Sequence, residues 1–191
     1  NMAFLDNFFL IFSNYHHKRI LNYLQKLNIK ELIDVGAHKG EFLGYAIKIN
    51  SIKIFYAFEP QVSIFRILKK NFSNNKKVRF INMGLSERPS NKIFYINKLS
   101  SSSTMSKFNK NSKYLKFKNM LTRSKKNYID KYLVKTSSVD IFFKKIKFKN
   151  CLLKIDVEGF EYNVLEGSKS KIGEVNYILI ENQFGNLYEN K

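Results

Sequence analysis

The residues best suited to bind a ligand or take part in catalysis are three acids around one glycine in CLLKIDVEGFEYNVLEG, the segment from Cys151 to Gly167. These acids follow directly on an apolar run, which is how parallel strands end at a ligand crevice. Two other segments have the same form: IDVGAHKGEF from Ile33 to Phe42, and IFYAFEP from Ile54 to Pro60. Together the three segments predict a nucleotide-type cofactor site at the ends of neighbouring strands.

The loop DVGAHKG and the acid that follows the next strand are more informative as a pair than singly. Asp34 closes a predicted strand, Gly36 permits a tight turn, and Gly40 would let the next helix begin close to a bound ligand. Nineteen residues beyond Gly40, Glu59 ends the next strand. An acid at that point can accept hydrogen bonds from both hydroxyls of a ribose.

The details of this loop favour one type of cofactor over another. A dinucleotide site needs Gly-x-Gly-x-x-Gly, but Ala37, His38 and Lys39 stand here between two glycines, and a phosphate-binding P-loop is absent as well. A carboxylate at the end of the first strand suits a cationic amino-acid group better than a phosphate. The loop therefore favours S-adenosylmethionine over NAD.

The elements that must position these residues alternate between strand and helix. This pattern predicts an α/β fold, a Rossmann-like doubly wound and mostly parallel sheet with helices on both faces. Five strands (Glu31–Val35, Lys53–Glu59, Val78–Met83, Leu152–Asp156, Val175–Glu181) and four helices (Glu41–Asn50, Val62–Phe72, Val139–Lys145, Tyr162–Gly167) are predicted. The second helix should turn Ile64, Ile67 and Leu68 inward; a short strand at Lys92–Ile96 and an edge strand at Tyr132–Thr136 complete the prediction.

The chain divides into an N-terminal helical segment, residues 1–30, and one domain over residues 31–191 that contains a basic insertion at about 105–131. Asp6 and Asn7 interrupt the first apolar stretch, so neither a secretory signal nor a membrane span is expected. The only cysteine, Cys151, opens an apolar run and is predicted to be buried and reduced. We therefore expect a soluble cytoplasmic protein.

The net charge of +19 is unevenly distributed. Residues 107–149 contain fourteen Lys or Arg and only two acids, which gives +12 of the total. Such a segment would attract phosphates, acidic sugars or anionic surfaces. The alternative, which we favour, is a set of solvated lysines without a specific partner, since charge of this kind bears on solubility more than on function.

The motifs DVGAHKG, AFEP, LSE, KIDVEGFEYNVLEG and ILIEN, in this order, resemble the FkbM family of S-adenosylmethionine-dependent methyltransferases. The resemblance spans residues 31–182, and KIDVEGFE is its most specific element. The serines at 100–103 and the segment VKTSSVD also resemble the family pattern. The resemblance implies a class I methyltransferase fold and methylation of a hydroxyl group on a sugar, surface glycan or polyketide-type natural product.

The resemblance also implies roles for individual residues. The methionine part of the cofactor would be held by Asp34 and the glycine loop, the ribose by Glu59, and the adenine edge by residues 84–86, with residues 58, 60 and 61 lining the same pocket. The predicted cofactor-binding residues are Asp34, Gly36, Ala37, His38, Gly40, Phe58, Glu59, Pro60, Gly84, Leu85 and Ser86.

The predicted catalytic residues are Asp156 and Glu158. An acceptor hydroxyl must lose its proton near the methyl donor, and Asp156 is the first choice as the base or as the group that orients the hydroxyl. With Glu181, the two could instead hold a divalent cation, although no metal is expected.

Less specific roles compete with these predictions. Asp34 could cap the following helix, Lys154 could pair with an acid, and His38 is favoured as a backbone-positioning residue over a base. Glu158 and Glu161 could both lie in the first turn of a helix, where negative charge is stabilised.

Three points stay open at this level. This class of fold normally ends with an antiparallel hairpin, and only ten residues follow Glu181, so the hairpin is expected to be missing or trimmed. An RNA methyltransferase that uses the basic segment is the alternative function, and a Rossmann-like dehydrogenase is a third. We expect a small-molecule or glycan acceptor and no nucleic acid, and leave a homodimer open.

Overall fold

The computed structural model describes residues 19–20, 22–97, 100–107, 109, 112, 128–181 and 188. Within them lie eight strands: β1 (Glu31–Val35), β2 (Ile54–Phe58), β3 (Val78–Ile81), β4 (Gly84–Leu85), β5 (Ser90–Ile96), β6 (Asp130–Ser137), β7 (Cys151–Ile155) and β8 (Val175–Ile180). The helices are α1 (Glu41–Ala46), α2 (Val62–Phe72), α3 (Val139–Phe142) and α4 (Glu161–Glu166), with 3-10 turns at Ser100–Ser102 and Ile172–Glu174.

Five strands form one parallel sheet in the order β3-β2-β1-β7-β8. The chain runs outward from β1 to β3 and then returns to β7 beside β1. The point where the order reverses is where open α/β sheets bind ligands. The predicted Rossmann-like α/β fold is confirmed.

Strands β1 and β7 lie at the centre of this sheet, and they are mainly apolar because both faces of the sheet are covered there. Leu32 and Leu152 pack into one apolar cluster with Phe42 and Leu43 of α1. Their neighbours Ile33 and Leu153 point to the opposite face and pack with α3 and α4. Successive strand residues alternate between the faces, so a strand buried on both sides reads as a continuous apolar run. Cys151 is buried as predicted.

A second sheet of three strands, in the order β4-β6-β5, lies after β3 in the chain. Strand β6 pairs in parallel with β4 and antiparallel with β5, from Ser90↔Thr136 to Ile96↔Asp130. The predicted edge strand Tyr132–Thr136 is therefore wrong in its position, because β6 is the middle strand. The sequence shows alternation within one strand but not which strands flank it.

Two predicted details of the helices also differ. In α2, Ile64 and Leu68 are buried, but the side chain of Ile67 is 39% exposed and does not point inward. Adjacent residues of a helix are about 100° apart, so a narrow buried face that includes Leu68 leaves Ile67 at its margin. Helix α1 ends at Ala46, earlier than predicted.

The two terminal predictions and the basic insertion fall largely outside the described residues. Of the predicted N-terminal helical segment, residues 19–20 and 22–24 are helical among those described. In the part of the chain that the structure describes, no helix is long and apolar enough to cross a membrane.

Candidate functional site

The parallel strands end at the same level, so the residues that follow them lie side by side. Val35 is paired with Phe58 and with Ile155, and the pairs Phe58↔Ile81 and Ile155↔Ile180 extend this level to both outer strands. We call the next residue of each strand, across the sheet, the edge row: Asn82, Glu59, Gly36, Asp156 and Glu181.

Main-chain hydrogen bonds continue from the strands into the edge row. The N–H of Glu59 donates to Ile81 O at 3.1 Å, that of Gly36 to Phe58 O at 3.1 Å, and that of Asp156 to Val35 O at 3.0 Å. The sheet thus brings together three predicted site residues from distant parts of the sequence. Asn82, which the sequence did not single out, joins them and donates its Nδ2 to the Glu59 carbonyl at 2.8 Å.

The loop between β1 and α1 contains three residues with left-handed backbone conformations: Gly36 (φ 84°), His38 (φ 48°) and Gly40 (φ 91°). A Cβ on Gly36 would overlap the carbonyl oxygen of Asp156, and one on Gly40 would overlap the ring of Phe72. Both glycines are thus needed for close packing within the protein. Sequence reasoning had assigned Gly40 to a close approach of the ligand.

Glu59 is held by main-chain donors on both of its carboxylate oxygens. The N–H of His38 donates to Oε2 at 3.0 Å and the N–H of Gln61 to Oε1 at 2.7 Å. The side chain is only 5% exposed, and burial raises its pKa to about 7 despite these two donors. The main-chain N–H of His38 thus orients the Glu59 carboxylate. Its ring Nδ1 lies 2.9 Å from Glu41.

Asp34 has a different partner from the predicted ligand. Its side chain is fully buried and forms an ion pair with Lys154, Nζ to Oδ1 at 3.0 Å. The same Nζ lies 3.2 Å from Oδ2 of Asp156. Although burial opposes it, the two carboxylates raise the pKa of Lys154 above its usual value. The prediction that Lys154 pairs with an acid is confirmed, and Asp34 does not cap α1, whose N-cap is Gly40.

Glu158 and Gly159 form the bend between Asp156 and α4. Glu158 has a left-handed conformation (φ 54°) and precedes the helix, so its placement in the first helical turn is wrong. Tyr188 donates its hydroxyl to Glu158 Oε2 at 3.2 Å, while burial and the charge of Asp156 raise the pKa of Glu158 to about 8. Glu161 does lie in the first turn of α4, where Oε1 accepts from the Gly159 N–H at 2.9 Å.

Two hydroxyl groups from the segment after the serine cluster hold this bend. Thr104 Oγ1 donates to the carbonyls of Val157 (3.2 Å) and Glu158 (2.7 Å). Ser106 Oγ donates to the carbonyl of Gly159 at 2.6 Å, and its own N–H donates to Thr104 Oγ1 at 2.9 Å. Sequence reasoning missed both residues, because more than fifty positions separate them from the bend.

Residues 84–86, predicted at the adenine edge, lie beside β6. Leu85 is fully buried, and the N–H of the fully buried Ser86 donates to Ser137 O at 2.8 Å. Ser86 Oγ donates to Glu87 Oε2 at 2.5 Å, and Glu87 forms an ion pair with Lys92 at 2.7 Å. A polar network that sequence reasoning did not identify therefore adjoins this segment.

The remaining predicted residues contribute mainly through their main chain. The side chain of Phe58 is fully buried, with its ring 4.9 Å from that of Phe142, so it belongs to the core and does not line a pocket. Its carbonyl oxygen accepts from the N–H groups of Gly36 and Ala37. Pro60 is half-buried beside Glu59. Among the described residues, no group of three or more potential ligands could hold a metal ion.

Two of three comparisons with known proteins find a match for this chain. The family model described as the methyltransferase FkbM domain matches residues 34–191. The crystal structure of methyltransferase FkbM from Methylobacillus flagellatus KT is similar with a TM-score of 0.50 and 16% identity. The similarity covers 80% of this chain and 32% of that one, so this chain spans about a third of the length of the related structure. At this level of identity, the similarity is evidence for the fold alone. No curated protein matches the sequence significantly.

Proposed function

This chain belongs to the FkbM methyltransferase family, and we propose that it transfers a methyl group from S-adenosylmethionine to a hydroxyl of a sugar, surface glycan or natural product. The observation that carries this proposal is the edge row, where Glu59 and Asp156 flank the Gly36 turn. It lies at the carboxyl edge of the sheet where the strand order reverses, the usual ligand site of such folds.

The residues at this edge fit S-adenosylmethionine in their chemistry. The carboxylate oxygens of Glu59 are already oriented by the N–H groups of His38 and Gln61, and each has a further lone pair for a ribose hydroxyl. Acidic groups concentrate here although the chain as a whole has a net charge of +19. Such a site favours a cation, and the cofactor supplies a methyl group on a positively charged sulfur.

We assign the cofactor contacts to the residues around Glu59. The ribose would bind Glu59, the main chain of the glycine loop would follow the methionine part, and the segment from Gly84 to Ser86 would lie at the adenine. Phe58 supports this region through its carbonyl, and Pro60 would border the pocket.

The acceptor is assigned to the other side of the Gly36 turn. Asp156 would orient the acceptor hydroxyl about 3 Å from the reacting carbon. Glu158, whose pKa is raised to about 8, would accept the proton of that hydroxyl. A carboxylate with a pKa near the operating pH is suited to this task. Methyl transfer should therefore become faster as the pH rises from about 7 to 9.

Calorimetric titration of S-adenosylmethionine and S-adenosylhomocysteine, with NAD as a comparison, tests the cofactor assignment. We expect micromolar binding by the wild type and at least ~100-fold weaker binding by Glu59→Ala, because two hydrogen bonds to a charged group are lost. Glu166→Ala, a change at a surface ion pair with Lys169, is the matched control and should bind as the wild type does. Binding of NAD alone would contradict the proposal, as would a folded wild type that binds neither methyl compound.

Transfer of a labelled methyl group to a panel of sugars, glycans and hydroxylated natural products would then identify the acceptor. RNA belongs in the same panel because of the basic segment over residues 107–149. Methylated RNA, with binding that weakens steeply as salt rises, would replace the glycan proposal with the nucleic-acid alternative.

A further inference from the structure

The ion pair between Asp34 and Lys154 is a consequence of strand register. Asp34 of β1 is paired directly with Lys154 of β7, and paired residues of adjacent strands point to the same face of the sheet. Asp156 follows Lys154 by two positions, and the strand period of two turns it toward the same side. Two acids and one lysine from separate motifs therefore meet at one point.

Lys154 is the centre of this group. Its Nζ lies 3.0 Å from Asp34, 3.2 Å from Asp156 and 3.5 Å from the carbonyl oxygen of Gly36, and it lies over the ring of Phe42 at 5.3 Å. The lysine thus joins the glycine loop, on which the proposed cofactor site depends, to the residue assigned to the acceptor. The close approach of Gly36 to the Asp156 carbonyl joins the same two segments.

The two acids differ in their access to a ligand. The side chain of Asp34 is 0% exposed, whereas that of Asp156 is 27% exposed. A ligand on the open side of the sheet edge can reach Asp156 without rearrangement, whereas Asp34 can be reached only if the residues that bury it move. Removing one partner of a buried ion pair leaves an uncompensated charge, whereas replacing both partners by neutral groups is often tolerated.

We propose that Asp34 does not contact the cofactor but is the buried counter-ion of Lys154, and that Lys154 is a positioning residue that fixes Asp156 against the Gly36 turn. The statements about the cofactor and about the positioning role rest on the proposed function, whereas the pairing of Asp34 with Lys154 does not. Asp34 then influences the site only through its ion pair with Lys154.

Neutral substitutions separate a counter-ion from a ligand. In Lys154→Met the buried carboxylate of Asp34 loses its partner, and in Asp34→Asn the buried lysine keeps only the partly exposed Asp156. We expect the melting temperature to fall by several degrees in each. In the double variant Asp34→Asn/Lys154→Met, the melting temperature should recover, and S-adenosylhomocysteine should bind within about fivefold of the wild type. If Asp34 were a direct ligand, the double variant would bind as poorly as Asp34→Asn, and this result would overturn the inference.

The positioning role of Lys154 has its own measurement. S-adenosylmethionine carries the sulfonium charge that S-adenosylhomocysteine lacks, so the ratio of their affinities reports how well Asp156 is placed. The double variant should lose at least threefold in this ratio, and Lys154→Arg should retain the wild-type ratio. An unchanged ratio in the double variant would show that Lys154 is only structural and would refute its positioning role.

A matched control uses a second ion pair, Lys171 with Glu174 at 2.9 Å. Lys171→Met/Glu174→Gln should leave both cofactor affinities and their ratio unchanged. A folded wild type that binds neither compound would refute the proposed function. In that case the melting temperatures would still decide whether Asp34 and Lys154 are a compensating pair, and full stability of both single variants would refute it.

Discussion

Different kinds of hydrogen bond stabilise the two sides of the Gly36 turn. We call residues 36–41 and 59–61, to which we assign the cofactor, the cofactor end, and residues 156–161, to which we assign the acceptor, the acceptor end. At the cofactor end, Glu59 accepts from main-chain N–H groups of the β1–α1 loop and of its own strand end. At the acceptor end, side-chain hydroxyls of Thr104 and Ser106 hold three successive carbonyls.

The two ends also take their contacts from different parts of the chain. The cofactor end depends on β1 and β2, which are neighbours in both sequence and space. The acceptor end depends on Thr104 and Ser106, which come from the chain between β5 and β6, and Thr104 forms an isolated antiparallel bridge with Tyr95 of β5. Because the second group of contacts comes from a separate part of the chain, it can change without disturbing the first.

The largest effect is expected at the contact that joins the two ends. In Gly36→Ala, the new Cβ would meet the main chain of Asp156, and φ is unfavourable for alanine. We expect a loss of at least ~3 kcal/mol in unfolding free energy, measured in urea, together with loss of cofactor binding. Gly173→Ala is the control, since a Cβ there meets nothing within 4 Å and should change stability by less than ~0.5 kcal/mol. A stable Gly36→Ala variant would show that the ends are independent.

At the cofactor end, a substitution of Glu59 is expected to raise the free energy of unfolding relative to the wild type as the pH rises. Glu59 has a pKa of about 7 in the folded protein against 4.5 as the reference value. As pH rises from 4.5 to 7, the unfolded chain has already released this proton while the folded protein still holds it, so stability falls over this window. Glu59→Gln removes the ionisation penalty, although its amide can accept from only one of the two main-chain N–H groups. Its stability relative to the wild type should therefore rise by on the order of 2 kcal/mol between pH 5 and pH 8, while cofactor binding is lost.

Urea unfolding of both proteins at pH 5 and pH 8 measures this effect. The stability difference between Glu59→Gln and the wild type should be larger at pH 8, and contributions from all other titrating groups cancel in the comparison. A stability difference that stays the same, or that becomes smaller toward pH 8, would show that the pKa of Glu59 is not raised in the folded protein.

Thr104→Val tests the acceptor end alone. The substitution keeps the shape but removes the donor to Val157 and Glu158 and the acceptor of the Ser106 N–H. We expect a loss of about 1–3 kcal/mol in unfolding free energy. Affinity for S-adenosylhomocysteine should change by less than about threefold. Thr104→Ser, which keeps the hydroxyl, should restore most of the stability, and a large loss of cofactor affinity in Thr104→Val would contradict the separation of the two ends.

The smallest effect is expected at Glu87, beside the predicted adenine edge. Although partial burial opposes it, Lys92 and Ser86 lower the pKa of Glu87 to about 2. The stabilisation from this carboxylate is therefore present above pH 4.5 and is lost as the pH falls toward 2. Because the pair is partly solvated, Glu87→Gln should cost less than ~1 kcal/mol at pH 7. Acid titration of the unfolding free energy should show this cost shrinking below pH 4.5; a constant cost would contradict the pairing.

The strands and the acids that end them were predictable because their signals are local. Apolar runs ending at Glu59 and Asp156 gave the positions of β2 and β7, and alternation with helices gave a parallel sheet. Strand β6 was predicted as an edge strand because its partners lie elsewhere in the chain. The inward direction of Ile67 was wrong because apolar spacing does not fix the width of a buried face.

The candidate site was predictable in its members more than in their contacts. Strand ends indicated Asp34, Glu59 and Asp156, and from its position at a strand end Asp34 was predicted to be a ligand, with no sign that it lies directly beside Lys154. Lys154 was noticeable in the sequence only because it alternates with Ile155 in a predicted strand. The hydroxyls of Thr104 and Ser106 carried no signal, since serine and threonine in a loop usually satisfy their own turn.

The sequence by itself determined the family, the parallel sheet and the set of acids at its carboxyl edge, because strand length, apolar runs and motif spacing are properties of neighbouring residues. Only the tertiary structure decided which acid is buried and which is accessible. That choice follows from register: the pairing of β1 with β7 sets Lys154 directly beside Asp34 and leaves Asp156 at the open edge.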